Sequence, residues 1–365
     1  MAPAFSSTRQ AVAFASLLLV LLLSPLLARK PLLPHREELY SATSWAYGAF
    51  PYMHDQIFVE KGDIDIAFIG SSPLYWGIDT PYVQNKMTEL LGRPAVVRSL
   101  CWHYSGFDAL YFIARDLLRH RKVRMIVFCD MLYPDASNGA HRSTSKWFLW
   151  PEDAPEISGL SMKAKATFYA GAMVGIPRNL LDMIRNNLPP IASEEILVKS
   201  GYPKLQSPAT RLGSLAVTWS SGHTMTNFTP MGAARPTDAC IYTNATRANF
   251  QFSSHPVPPT QATFCRKMAS LAQENHVKLV YLHFTRTFER TSSVIETSAF
   301  WPEVFGGNAT MIGIPGAKLF AGVSQEVLTN QLYNDPVHLN RNGQKFFTPL
   351  ITPALMQIYE NQIKP

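Results

Sequence analysis

The sequence predicts an α/β protein built on a doubly wound parallel sheet, and three observations carry that prediction. Short apolar runs recur at Asp65–Ile69, Arg124–Cys129 and Val277–Phe284, and stretches of helical spacing stand between them. Apart from Asp65, the segments DIAFI and MIVF are apolar along their length and not only at every second residue. A strand with one wet face alternates apolar and polar side chains, whereas a parallel strand covered by helices on both faces does not. Strand, helix, strand, helix, strand at short spacing is what crossover connections between parallel strands produce.

The elements follow in order. Residues Ala11–Ala28 (AVAFASLLLVLLLSPLLA) are uncharged and Leu-rich, at the short end of what spans a bilayer. Arg9 precedes this run and Arg29–Lys30 follow it. A secretory signal peptide has the same basic start and apolar middle, but no small-residue cleavage site stands out, and the basic pair directly after the run argues against cleavage. Residues 1–30 are therefore expected to be an uncleaved signal anchor, a single N-terminal transmembrane segment in the cell membrane with the remaining domain on the extracytoplasmic side. Residues 31–60 read as a stalk and a lead-in helix, and residues 61–361 as the α/β domain.

Within that domain the first strand, Asp65–Ile69, is closed by Gly70–Ser71–Ser72–Pro73. A helix over Tyr82–Leu91 stops at Gly92, a residue suited to the left-handed turn that ends helices. A second strand at Ala95–Leu100, an amphipathic helix at Phe107–Leu118 and a third strand at Arg124–Cys129 complete the first half. Between about 133 and 259 the pattern blurs into WFLW, Pro189–Pro190, helical patches near 161–186 and clusters of Gly, Ser and Thr. That stretch is expected to be an insertion, a cap over the active edge of the sheet. Alternation returns with a helix over Thr260–Asn275, the strand Val277–Phe284, a short strand at Met311–Ile314 and a closing helix at Gln344–Asn361.

Composition narrows the function classes. Apolar content of 47% with 16% charged residues excludes a disordered body. Lysine and arginine number 33 against 26 acidic residues, a net charge of +7 that suits an anionic membrane surface or a polyanionic glycan. The basic run Arg115–Arg124 (RDLLRHRKVR) reads as a helix end, where cations meet the negative end of the dipole. It has neither interleaved aromatics nor a nucleic-acid motif, so nucleic acid is not an expected partner. The cysteines, Cys101, Cys129, Cys240 and Cys265, lack CxxC spacing and suggest no zinc site. Cys101 and Cys129 read as small buried hydrophobes, while Cys240 and Cys265 could pair in an oxidising compartment. Neither HExxH, GxxxxGK[ST] nor GxGxxG occurs, and no metal or other cofactor is expected.

The chemistry-bearing residues sit at the two ends of the pattern. Open parallel sheets bind ligands beyond the carboxyl ends of their strands, which is where Ser71 and Ser72 follow the first strand. A serine hydroxyl needs a base to take its proton, and the base needs a third group to orient it. In Asn334–Asp335–Pro336–Val337–His338–Leu339–Asn340 the Asp and His are spaced so that one turn presents both side chains at one point. Asp335 would hold the imidazole tautomer, and His338 would take the proton from Ser72.

A first strand ending in Gly-x-Ser, with a C-terminal Asp-x-x-His followed by Leu339, polar residues and Gly343, resembles the SGNH/GDSL hydrolase superfamily. Gly–Ser–Ser in place of Gly–Asp–Ser, behind an N-terminal membrane segment, is similar to its membrane-anchored, acyltransferase-like branch in the cell envelope. The D-alanyl transfer protein of teichoic-acid modification and the alginate O-acetylation proteins belong there. The resemblance covers residues 63–135 and 260–361. It implies a flavodoxin-like three-layer α/β/α fold, with Ser72 as nucleophile, Asp335 as orienting acid and His338 as base. It further implies a polysaccharide or cell-envelope polymer as substrate and an integral membrane acyl-transfer partner. The sequence departs from the family in two blocks. Cys101–Trp102–His103 stand where the family has a glycine, and Gly106 comes late. The third strand ends Cys129–Asp130–Met131, leaving Asn138 as the nearest asparagine. The expected oxyanion donors are thus the N–H of Ser72 and Asn138, with His103 as a rival base or substrate contact. A stand-alone exported esterase or lipase, and a non-catalytic glycan-binding or assembly protein on a decayed SGNH scaffold, stay open beside the acyl-transfer reading.

Overall fold

Six strands form the central sheet of the computed structural model, which describes residues 5–40, 53–101, 106–129, 144, 147–186, 232–242, 247–253, 256–306 and 310–362. They are β1 (Ile64–Phe68), β2 (Val97–Ser99), β3 (Val123–Cys129), β4 (Cys240–Tyr242), β6 (Lys278–Leu282) and β8 (Met311–Gly313), and their order is β2-β1-β3-β6-β8-β4. All neighbours are parallel except β4, which runs antiparallel to β8 at the edge. Counted along the chain, the five parallel strands lie in the order 2-1-3-4-5. In this doubly wound order the connections leave β1 and β3 in opposite directions, and a crevice opens between their carboxyl ends. Every residue of β1 and β2 is buried, as two covered faces require.

The connecting helices follow from the handedness of the crossovers. Right-handed crossovers made in opposite directions fall on opposite faces of a sheet. On one side α2 (Ser72–Gly77) and α3 (Thr80–Leu91) pack with the C-terminal α8 (Arg341–Gln362), and on the other α4 (Phe107–His120) packs along α6 (Pro259–Glu274). Helix α3 starts where the Asp79 carboxylate accepts the Tyr82 N–H at 3.2 Å, and it stops at Gly92 with φ 63°. Helix α4 buries Ala109, Leu110, Phe112, Ile113 and Leu117 at helical spacing. Two arginines of the basic run are internal, while Arg119, His120 and Lys122 are exposed: Arg115 pairs with Asp153 and Glu156 at 3.0 and 3.1 Å, and Arg121 donates to the Gln56 and Gly62 carbonyls.

Two expectations are corrected. Residues 31–60 are not a stalk where the structure describes them, because Leu33, Leu39, Tyr40, Met53 and Ile57 are all in the core. The cause is a polar anchor: Arg36 reaches Asp116 at 3.1 Å and Asp153 at 3.1 Å, and the Tyr40 hydroxyl donates to Asp116 at 2.8 Å. The expected cap, 133–259, lies in part outside the described residues, and its described part packs on the body. Helix α5 (Met162–Asn186) inserts Phe168 between the rings of Phe148 and Phe264, at 5.0 and 5.6 Å, against the α4–α6 layer. Strand β4 extends the main sheet, and β5 (Phe250–Ser253) pairs in parallel with β7 (Ile295–Ser298) in a small second sheet. Finally, Cys240 and Cys265 are both free and buried rather than paired. Burial drives the Cys265 thiol pKa upward, so it is a packing residue here.

The N-terminal α1 (Thr8–Leu27) is, among the described residues, the one helix long and apolar enough to cross a membrane. Its C-terminal half packs on α5, where the Tyr169 hydroxyl donates to the Leu22 carbonyl at 2.7 Å.

Candidate active site

Strand β1 ends in the crevice between β1 and β3, and the chain turns through Ile69–Gly70–Ser71 into α2. Gly70 leaves room in that turn for neighbouring side chains, since a Cβ there would meet Leu74 Cδ2 at 2.6 Å and Cys129 Sγ at 3.2 Å and displace them. Ser71 and Ser72 then diverge. Ser71 is buried, with its Oγ 3.7 Å from Cys129 Sγ, whereas Ser72 opens α2 and its Oγ lies 2.8 Å from His338 Nε2. His338 Nδ1 lies 2.6 Å from Asp335 Oδ2, and Asp335 Oδ1 accepts the N–H groups of Val337 and His338, both at 2.8 Å. The structure therefore joins Ser72, His338 and Asp335 in one hydrogen-bonded line.

The protonation pattern follows from the donor and acceptor inventory. An ionised carboxylate only accepts, so the imidazole proton resides on Nδ1 and the Nε2 lone pair faces the Ser72 hydroxyl. Burial raises the pKa of Asp335, but hydrogen bonds from the His338 ring and from the Val337 and His338 N–H groups outweigh it and bring the carboxyl to about 2. The folded value lies below the ordinary one. Its contribution to stability is therefore present above about pH 4 and fades as the pH falls toward 2. The side chains of His338 and Asp335 retain 27% and 47% of their exposure, so the line is open to a substrate from solvent.

Residues far apart in the sequence hold this geometry, and none of them announces itself there. The loop carrying Asp335 and His338 is closed by a bridge between Tyr333 and Leu339 and by the Asn334 N–H donating to the His338 carbonyl at 2.9 Å. It is tied to the end of β6 by the Thr287 N–H donating to the Pro336 carbonyl at 3.1 Å and by the Tyr333 hydroxyl donating to the Thr285 carbonyl. Behind it, Asn340 Oδ1 accepts the N–H groups of Asn342 and Gly343 at 2.9 and 3.0 Å at the start of α8. Helix α8 then clamps the far end of α2. Gln344 Nε2 donates to the Ile78 carbonyl at 3.1 Å, and the Asp79 N–H donates to Thr348 Oγ1 at 3.0 Å. One helix thus positions both the helix that opens with Ser72 and the loop that carries His338.

Gly343 is a tight joint in this assembly, because a Cβ there would overlap the Leu332 carbonyl oxygen. Gly343→Ala is expected to cost about 1–3 kcal/mol of stability, the usual range for overpacking. It should also slow any reaction of Ser72, because relief of the overlap moves the loop that carries His338. Thermal melts and serine-labelling rates on one preparation check both effects.

Of the other sequence candidates, His103 and Asn138 lie outside the described residues. The Ser72 N–H occupies the first position of α2, where helical N–H groups lack intrahelical acceptors, and Pro73 next to it has none. Tyr75 is buried in the core, and Trp76 packs edge-on to it at 4.9 Å, half-exposed one turn beyond Ser72. Among the described residues no three His, Cys, Asp or Glu side chains are grouped to hold a metal ion. No protein-family model matches the chain, and no curated protein matches it.

Proposed function

We propose that this chain is an SGNH-like serine acyl-transfer or acyl-ester hydrolase protein, held at the membrane by α1 and acting on a cell-envelope or exported polysaccharide from the extracytoplasmic side. The observation that carries the reading is the line Ser72–His338–Asp335, with contacts of 2.8 and 2.6 Å, at the carboxyl edge of a doubly wound sheet. In this reading Ser72 Oγ attacks the carbonyl carbon of an acyl ester while its proton passes to His338 Nε2. The tetrahedral adduct collapses, the ester's alcohol leaves with the proton from His338, and the acyl group stays on Ser72. A sugar hydroxyl, or water, then attacks the acyl-enzyme. His338 takes the proton of that hydroxyl and returns it to Ser72 Oγ. Asp335 stays ionised throughout and stabilises the imidazolium. The open edge suits a polymeric acceptor, and an integral membrane partner is the expected source of the acyl group.

The full chain in detergent, treated with a fluorophosphonate probe, tests this. Labelling of the wild type that disappears in both Ser72→Ala and His338→Ala is expected. A folded wild type that does not label removes the activated serine and leaves a glycan-binding or assembly role. Rapid turnover of small chromogenic esters with no polymer present moves the reading to a stand-alone esterase or lipase.

A further inference from the structure

Helix α5 has three faces with different neighbours. Ala164, Phe168, Ala172 and Ile176, four residues apart, are buried. Tyr169, next around the helix, meets α1 through its bond to the Leu22 carbonyl. The third face is exposed and largely apolar: Val174, Leu181 and Ile184 are 63%, 53% and 56% accessible. By the 3.6-residue period they share one stripe, adjoining the side that Tyr169 turns toward α1. Lys163 and Arg178 are exposed on the same outer side. Large apolar side chains in one exposed stripe mark a contact surface. Here the stripe lies on the helix that packs against α1, whose apolar side chains are also exposed along its length.

We propose that the outer face of α5 rests in the headgroup–acyl boundary of the membrane that α1 crosses, giving the body a second contact with the bilayer. The lipid surface is the occupant because α1 brings it there. A helix leaning on a bilayer-crossing neighbour offers its free apolar side to the same lipid, and its lysine and arginine meet anionic headgroups. The helix also carries charged residues along its length, which suits lying at the boundary better than crossing. Two attachments instead of one remove the swivel that a lone anchor leaves. They fix the orientation of the sheet, and of Ser72 at its edge, over the membrane. The inference rests on α1 being in the membrane and is independent of the chemistry at Ser72.

The test uses the full chain reconstituted in phosphatidylcholine–phosphatidylglycerol vesicles. Single cysteines at Val174, Leu181 and Ile184 carry an environment-sensitive fluorophore, with Leu18→Cys in α1 and Glu89→Cys on α3 as references. The native cysteines are buried, and mock-labelled wild type sets their background. With nitroxide placed high on the lipid chains, quenching at the three α5 positions is expected to exceed that at Glu89→Cys several-fold. If Leu18→Cys is quenched while the α5 positions match Glu89→Cys, the second contact does not exist and the anchor stands alone. Blue-shifted emission at α5 without lipid quenching means that protein, not lipid, covers the stripe, and overturns the proposal. So does a Leu18→Cys label that lipid does not quench.

Discussion

Asp335→Asn is expected to lower the rate of serine modification by about 10⁴-fold while the protein stays folded, the loss typical of a triad whose orienting acid becomes an amide. Asp335 uses its two oxygens differently. Oδ1 accepts two backbone N–H groups that shape the loop, and Oδ2 accepts from the His338 ring. An asparagine can keep its oxygen on the backbone donors, so the loop survives, but its NH2 group then faces Nδ1. A donor there makes Nδ1 the acceptor and moves the ring proton to Nε2. An Nε2–H can donate to Ser72 but cannot take its proton. The variant should also lose the acid dependence that the wild type gains from a carboxyl at about 2, so its stability should change less between pH 4 and pH 2. Fluorophosphonate labelling rates and melts across that range give both readings. A rate within tenfold of wild type, with an unchanged melt, removes Asp335 from the chemistry.

The Ser–His–Asp line was legible because each of its parts leaves a local trace. A buried strand followed by Gly–Ser–Ser marks the carboxyl edge, and Asp335 and His338 sit on one turn. What holds the line was not legible. The clamp from Gln344 and Thr348 to the end of α2 spans the length of the domain, and neither residue differs in kind from a surface polar residue. Strand β4 is three residues of the body's far edge, too short for a periodic signal. The false stalk has the same origin. Arg36, Glu37 and Glu38 look like a solvated segment, yet Arg36 finds its carboxylates 80 and 117 residues downstream. Sequence patterns report local periodicity, and a buried ion pair between distant residues has none.

That misread segment gives the other large effect. Asp116→Ala is expected to cost about 3–5 kcal/mol, the range found when one member of a buried ion pair is removed. Asp116 is 1% exposed and accepts from Arg36 at 3.1 Å and from the Tyr40 hydroxyl at 2.8 Å. Burial opposes the charge on Arg36, and Asp116 with Asp153 more than offsets it. Without Asp116 that guanidinium keeps Asp153 and the Trp147 carbonyl, while the Tyr40 hydroxyl loses its acceptor inside the core. The double variant Arg36→Met with Asp116→Leu should be more stable than Asp116→Ala alone. It removes one charge of each sign and leaves Arg115 and Lys267 against Asp153 and Glu156. Denaturant unfolding of the full chain in detergent orders the variants, and a double variant as unstable as the single one shows that the pairing is not the cause. The folded fraction of each should still label at Ser72, because the cluster lies with α4 and the segment after α1, and the loop carrying His338 is tied to β6 and α8. Stability carried by Asp116 and chemistry carried by Asp335 are thereby separable. A variant that lost both together would mean that the junction with α1 and the edge carrying Ser72 move as one body.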